Sequence, residues 1–317
     1  MTPAQLRAFA AVVRLGSVKA AAAELEVSDA AVSLHIGQLR RELDDQLFTR
    51  TASGPAFTPG GLRLARRATE MLGLADRTVR EVSQAGKGRR TLALAASTLF
   101  AEHAAPGLIA MFTARAKDLD VEMSVRRPGQ FVELLTSRVV DLAVGVRPAD
   151  YPETMLSTAF LTYQVVVVAA PDHPAAAGAV DAAGLRDQTW LLGPAAAGDD
   201  GLVPRLLRRL DVPEARQRIF QSSAAAREEA KRGNGVMPSV AFAVTDDLAQ
   251  RRLVRVTQLP AMDGTWYVMS LPDVATMPAA AELSRFVATP RAMQAMIKGA
   301  GVTVGHFRPA VHVTLWS

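Results

Sequence analysis

The sequence contains no cysteine. Disulfides, thiolate metal sites and a cysteine nucleophile are therefore all excluded. Histidine is scarce. His35, His103, His173, His306 and His312 are scattered, and His306 and His312 stand far from acidic partners, so no metal centre is expected. No apolar run approaches the roughly 18 residues needed to cross a bilayer. The first residues read as an amphipathic helix rather than a charged segment followed by an apolar one, so no signal peptide is expected. There is no nucleophile elbow and no phosphate loop of the Walker type. The expectation is a cytoplasmic protein without cofactor, metal or membrane contact, and not an enzyme. What is present is ordinary for a globular chain: 317 residues, 49% apolar and 21% charged. That length leaves room for two or three domains.

The chain is organised around residues 17–39, SVKAAAAELEVSDAAVSLHIGQL. Ser17 can cap a short helix with Ala21, Ala22 and Leu25 on one face. Ser28 can cap a second with a stripe of Ala31, Val32, Ile36 and Leu39. Two short helices joined by a tight turn, with small residues where they cross, form a helix-turn-helix pattern. Upstream, Pro3 opens an amphipathic helix with Leu6, Phe9, Val12 and Val13, ending at Gly16. Downstream, residues 48–58 read as a short ribbon turning at Gly54-Pro55. Three helices and a basic ribbon make a winged helix-turn-helix. Charge agrees with it. Residues 1–90 hold 14 Lys+Arg against 9 Asp+Glu, whereas residues 91–317 hold 22 of each, so the net +5 lies wholly in the first segment. Such asymmetry is expected when one domain meets a polyanion.

Residues 1 to about 60 resemble the N-terminal domain of the LysR-type transcriptional regulators. The resemblance is carried by Leu6, Phe9, Val13, Gly16-Ser17, Ala21-Ala22, Leu25, Val27-Ser28, Ala31-Val32-Ser33, Ile36, Leu39, Leu47-Phe48, Arg50, Thr58 and Gly60-Gly61. Leu34 and Gly37 stand where the family usually has polar or basic groups, Arg40 where it has an acid, and the wing lacks a second basic residue near Ser53 or Gly54. In a helix-turn-helix the second helix enters the DNA major groove with its N-terminal residues at the base edges. Ser28 at its cap and Asp29, Ala30, Ser33 and Leu34 are the candidates there. An Asp can accept from a cytosine amino group, and an Ala or Leu can touch a thymine methyl. Arg50 in the wing is the phosphate candidate, and His35, Arg40 and Arg41 are candidate backbone contacts.

Residues 59–88 read as a long linker helix and hinge. Leu62, Ala65, Thr69, Leu72 and Val79 form one stripe; Leu64, Ala68, Met71, Ala75 and Val82 form a second. The resemblance implies that this helix pairs two subunits, giving a homodimer or homotetramer. From residue 91 the pattern alternates between strand and helix: strands at 91–96, 121–125, 141–146, 165–170, 189–192, 218–220 and 265–271, and helices at 101–117, 129–139, 202–210, 224–232 and 279–288. The fold class is thus α+β and multidomain. It comprises a winged helix-turn-helix over 1–58, the linker over 59–88 and an α/β domain over 89–317. The family resemblance, with Val140-Asp141-Leu142-Ala143-Val144-Gly145 matching a characteristic strand, implies that the last is a two-lobed effector-binding domain like the periplasmic binding proteins. Lobe I is expected over about 91–160 and 270–300, lobe II over about 161–268, and an extra strand or subunit contact over 306–316.

Open α/β sheets bind ligands beyond the carboxyl ends of their strands. Ser97-Thr98, Gly129-Gln130, Val146-Arg147 and Ser222-Ser223 satisfy that description. In the family, hydroxyl residues matching Ser97, Thr98 and Ser222 line the effector cleft, often around a small carboxylate, and Arg147 is the candidate counter-charge. The resulting expectation is a regulator that binds double-stranded promoter DNA and is switched by a small organic anion. The alternatives are a DNA-binding architectural protein without effector, which leaves the two-lobed domain without a purpose, and an enzyme on a binding-protein-like fold.

Overall fold

The computed structural model describes residues 1–51, 54–85, 90–178, 180–181, 183–197, 201–273 and 277–298. The chain divides into two units, residues 1–88 with 136–139, and the remainder.

In the first unit, helix α1 (Pro3–Leu15) starts at a capping box. The Thr2 hydroxyl accepts from the Gln5 N–H at 3.3 Å, and the Gln5 side chain accepts from the Thr2 N–H at 2.7 Å. Gly16 ends the helix in the left-handed region at φ 66°, where a side chain would be strained. Ser17 caps α2 (Val18–Glu24), and Ser28 caps α3 (Asp29–Leu43) by accepting from the Ala31 N–H at 3.1 Å. Ala21 and Ala22 are buried, so α2 lies close against its neighbours; Val32, Ile36 and Leu39 of α3 are buried in the same core. Phe9 is fully buried, with ring centroids 6.3 Å from Phe48 and 6.5 Å from Phe57. Full burial of a side chain this size contributes roughly 1.5–3 kcal/mol. The ribbon consists of β1 (Phe48–Thr51) and β2 (Gly54–Phe57), antiparallel, with Thr51 opposite Gly54 and Arg50 opposite Pro55. The expected turn at Gly54-Pro55 is therefore displaced: both residues lie in β2. Proline is tolerated there because an isolated two-stranded ribbon consists only of edges. Helix α4 (Pro59–Ala85) follows, 27 residues long.

The second unit is built on a seven-stranded sheet. In chain order its elements begin with β3 (Arg90–Ala96), α5 (Thr98–His103), α6 (Ala105–Thr113), β4 (Leu119–Val125), α7 (Phe131–Thr136), β5 (Leu142–Gly145) and β6 (Leu156–Ala169). They continue with β7 (Trp190–Leu192), α8 (Leu202–Arg209), β8 (Gln217–Ile219), α9 (Ser223–Lys231), β9 (Met237–Val240) and α10 (Thr245–Ala249). The unit ends with β10 (Val254–Arg255), β11 (Met262–Ser270), α11 (Pro278–Phe286) and α12 (Pro290–Lys298). Sheet order is β10-β6-β11-β5-β3-β4, with β9 also paired to β6. Strand β3 runs parallel to β4 and β5; β11 runs antiparallel to β5 and β6. Strands β7 and β8 form a separate parallel pair.

The two lobes share β6 and β11. The end of β11 lies between β5 on one side and the start of β6 on the other. The end of β6 pairs with β9 and β10, and the register shifts at Trp266/Tyr267 between the two regions. The expected strand at 165–170 is the tail of this 14-residue strand. Its first half is largely exposed and lacks an apolar run, which is why periodicity finds only the second. The expected helix at 101–117 is instead two helices, α5 and α6, with Pro106 in the first turn of the second. The expected helix at 129–139 begins as a 3-10 turn, Pro128–Gln130, and is helical only from Phe131. Helix α12 continues the chain beyond the single helix expected near 279–288. The expected strand at 306–316 lies outside the described residues. Among the described residues, no helix is long and apolar enough to cross a membrane.

Candidate functional site

The parallel strands β3, β4 and β5 end at one edge of the sheet. A cavity of about 330 Å³ opens there. Ser97, Thr98, Arg127 and Val146, which directly follow strand ends or lie one residue on, form one wall. Tyr163 of β6, Pro194, Ala195 and Ala197 after β7, and Gly201 with the first turn of α8 form the other. Ser97 is buried and its N–H donates to the Val144 carbonyl at 2.9 Å, while its Oγ has no hydrogen-bond partner. A buried hydroxyl without a partner is uncommon and marks a place for one. Gly145 allows the hydroxyl its position, since a Cβ there would stand 2.4 Å from Ser97 Oγ.

Tyr163 is positioned by its neighbours across the sheet. Its ring stacks on Trp266, with centroids 4.2 Å apart, and lies over Gly264 on the facing strand. A Cβ at position 264 would stand 2.5 Å from the ring. The Tyr163 hydroxyl and the Trp266 indole N–H are both buried without a hydrogen bond of normal geometry. Burial pushes the Tyr163 hydroxyl up to about 12, against the opposing charge of Arg205. It is therefore neutral at physiological pH and can donate or accept.

Other expected site residues lie elsewhere. Gly129 and Gln130 are exposed on the 3-10 turn beside the lining residue Pro128, and Gln130 accepts from the Arg127 N–H at 3.2 Å. Arg147 is exposed; its guanidinium lies over the Tyr267 ring at 5.5 Å and reaches Ser157 Oγ at 3.5 Å. Ser222 caps α9, accepting from the Ala225 N–H at 3.2 Å. Ser223 donates its N–H and its hydroxyl to the Glu102 carboxylate, at 3.2 and 2.6 Å. Of the seven residues expected at the effector, only Ser97 and Thr98 line the cavity. Arg127, Tyr163, Pro194 and the first turn of α8 are not among those expected. Gly193-Pro194, directly after the β7 strand end at Leu192, is the sequence signal that leads to the far wall. Tyr163 carries no such signal, because a tyrosine within a strand reads as core.

Beside the cavity wall, burial and the charge of Arg227 lower His103 to about 4, so it is neutral. The buried Asp247 carboxylate meets Arg252 at 2.7 Å, Lys231 at 3.0 Å and Arg227 at 3.7 Å. No group of His, Cys, Asp and Glu that could hold a metal occurs among the described residues.

In the first unit Asp29, Ala30, Ser33 and Leu34 of α3 are exposed, Leu34 by 57%. Ser28 is held as the cap. His35 is half-buried, with Nδ1 unpartnered. Arg40 is turned inward. It donates to the carbonyls of Gln46 at 2.7 Å and Phe48 at 2.6 Å, and its guanidinium lies 4.8 Å from the Phe48 ring centroid. It ties α3 to the ribbon. Arg50 lies in β1, and only its backbone is described.

A winged helix-turn-helix, a long helix and a two-lobed α/β domain with a cavity at its strand ends define a ligand-responsive DNA-binding protein. The family description "LysR substrate binding domain" matches residues 85–290, and "Bacterial regulatory helix-turn-helix protein, lysR family" matches residues 3–62. The chain belongs to the LysR family of transcriptional regulators, whose members bind DNA and small-molecule effectors and form oligomers. An uncharacterised HTH-type transcriptional regulator of Mycobacterium tuberculosis is 56% identical over 324 residues, covering all of both chains. The RuBisCO operon transcriptional regulator of Allochromatium vinosum is 29% identical over 89% of this chain and 94% of its own. Among solved structures, full-length LysG of Corynebacterium glutamicum with bound effector Arg shares the fold. Its TM-score is 0.58 at 20% identity, covering 93% of this chain and 99% of that one.

Proposed function

We propose that this LysR-type regulator is switched by a small organic anion bound in the cavity beside Ser97, and that α3 and the ribbon place it on duplex DNA as a homodimer or homotetramer. One observation carries the effector reading. The cavity presents two buried hydroxyls without partners, Ser97 Oγ and Tyr163 Oη, together with the Arg127 side, and none of its described lining residues is acidic. A carboxylate there would accept from Ser97 and Thr98 and meet a positive charge, while Tyr163 would take a polar group at the other end. LysG was solved with arginine, but the guanidinium of such a ligand finds no carboxylate among the described lining residues here.

The experiment is thermal unfolding of the full chain against mono- and dicarboxylates, phosphorylated acids, arginine and lysine. An anion should raise the melting temperature, and Ser97→Ala and Arg127→Ala should each weaken its effect about tenfold in concentration, on the order of one charge-assisted hydrogen bond. Stabilisation by the cations alone, or by an anion acting equally on both variants, would overturn the reading.

A further inference from the structure

At 100° per residue, Ala30, Leu34, Gly37 and Arg41 fall along one line of α3, directly opposite the buried Val32, Ile36 and Leu39. Two features of that line have no explanation in the free protein. Leu34 is a large apolar side chain, 57% exposed. Gly37 is a glycine inside a 15-residue helix, where it costs helix stability relative to alanine. A Cβ at Gly37 would meet nothing within 4 Å, so no packing within the chain requires it. Charge adds a third observation. Residues 1–58 hold 6 Lys+Arg and 6 Asp+Glu, so the winged domain is neutral and the positive excess lies on residues 59–90. The centre of the outward face of α3 is thus apolar and small rather than basic.

We infer that α3 reads its DNA through the C5-methyl groups of thymine. Leu34 and Ala30 pack against the methyls, and Gly37 leaves room for the duplex to come close. The thymine methyl is the apolar group that base edges offer in the major groove, so it is the feature an exposed leucine can recognise. Arg41, at the end of the line, supplies positive charge where the helix leaves the bases. The inference rests on α3 being the groove-reading helix.

The test uses the full chain and duplexes it enriches from a random library. An enriched duplex is resynthesised with its thymines replaced one by one by deoxyuridine, which keeps pairing and removes only the methyl. Binding should weaken about fourfold for each contacted methyl, the transfer value of one buried carbon. In Leu34→Ala the penalty at the contacted positions should disappear and affinity for the thymine duplex should fall. Its melting temperature should be unchanged, since the side chain is exposed. Gly37→Ala should melt higher yet bind both duplexes more weakly. Equal binding of thymine and uracil duplexes by the unaltered protein overturns the methyl readout and leaves α3 as the reading helix. Failure to enrich any duplex over the starting library overturns the reading helix itself, and the inference with it.

Discussion

Glu102→Ala should loosen the effector domain while leaving the winged domain intact. Glu102 lies in the last turn of α5 in one lobe, and its carboxylate accepts both the N–H and the hydroxyl of Ser223 at the first turn of α9 in the other, at 3.2 and 2.6 Å. Hydrogen bonds to a charged group contribute about 1.5–3 kcal/mol each. These two share one carboxylate, whose side chain is 22% exposed, so the combined loss is about 3 kcal/mol rather than the sum. With a urea slope of roughly 2–3 kcal/mol/M, the midpoint should fall by about 1–1.5 M. Tryptophan emission reads this event specifically. Trp190 and Trp266 are both fully buried in the second unit, and residues 1–88 contain no tryptophan. Ser223→Ala removes the hydroxyl donor and keeps the N–H, so it should cost about half as much. The double variant should show a coupling of ~1 kcal/mol or more. A Glu102→Ala midpoint within ~0.2 M of the unaltered protein, with no coupling to Ser223, would refute the assignment of this bond as a tie between the lobes.

Two further outcomes follow from burial and charge. Burial alone would raise the Asp247 carboxyl, but hydrogen bonds from Lys231 and Arg252 overcome that and hold it below its ordinary 3.8. A carboxyl whose folded value is depressed contributes stability above its unfolded value and loses it as pH falls through the folded one. Acid unfolding monitored by tryptophan emission should therefore steepen below about pH 4, and Asp247→Asn should flatten that limb while costing about 2–3 kcal/mol at neutral pH. An acid limb unchanged in the variant would count against it. On α4, Val79 and Val82 are 69% and 70% exposed. If a second copy covers them, Val79→Asp with Val82→Asp should lower the solution mass measured by light scattering; an unchanged mass would place the subunit contact elsewhere.

Local chemistry was legible wherever a residue's role depends on its immediate neighbours in the chain. The caps at Ser17 and Ser28, the stop at Gly16, and the stripe of Ala31, Val32, Ile36 and Leu39 are statements about a few consecutive residues, and the structure agrees with each except that Ala31 is only half-buried. Ribbon and helix breaks were less legible because they depend on register. Pro55 reads as a turn residue until its pairing with Arg50 is known. The cavity shows the same limit. Ser97 and Thr98 follow a strand and were visible as such, whereas Ser222 and Ser223 follow the same local rule and are engaged in capping α9 and in binding Glu102.

The sequence by itself determined the winged helix-turn-helix, the long helix after it, the α/β character of the remainder and the confinement of excess positive charge to residues 1–90. Each follows from periodicity, capping chemistry or simple counting, which act over one or two turns or strands. Tertiary structure alone decided that β6 and β11 join the lobes, that Tyr163 stacks on Trp266 over Gly264, and that Pro194 and the first turn of α8 line the same cavity as Ser97. Those pairings join residues about 100 apart. They are fixed by strand register and by which buried surfaces fit together, and neither leaves a periodic mark on the chain.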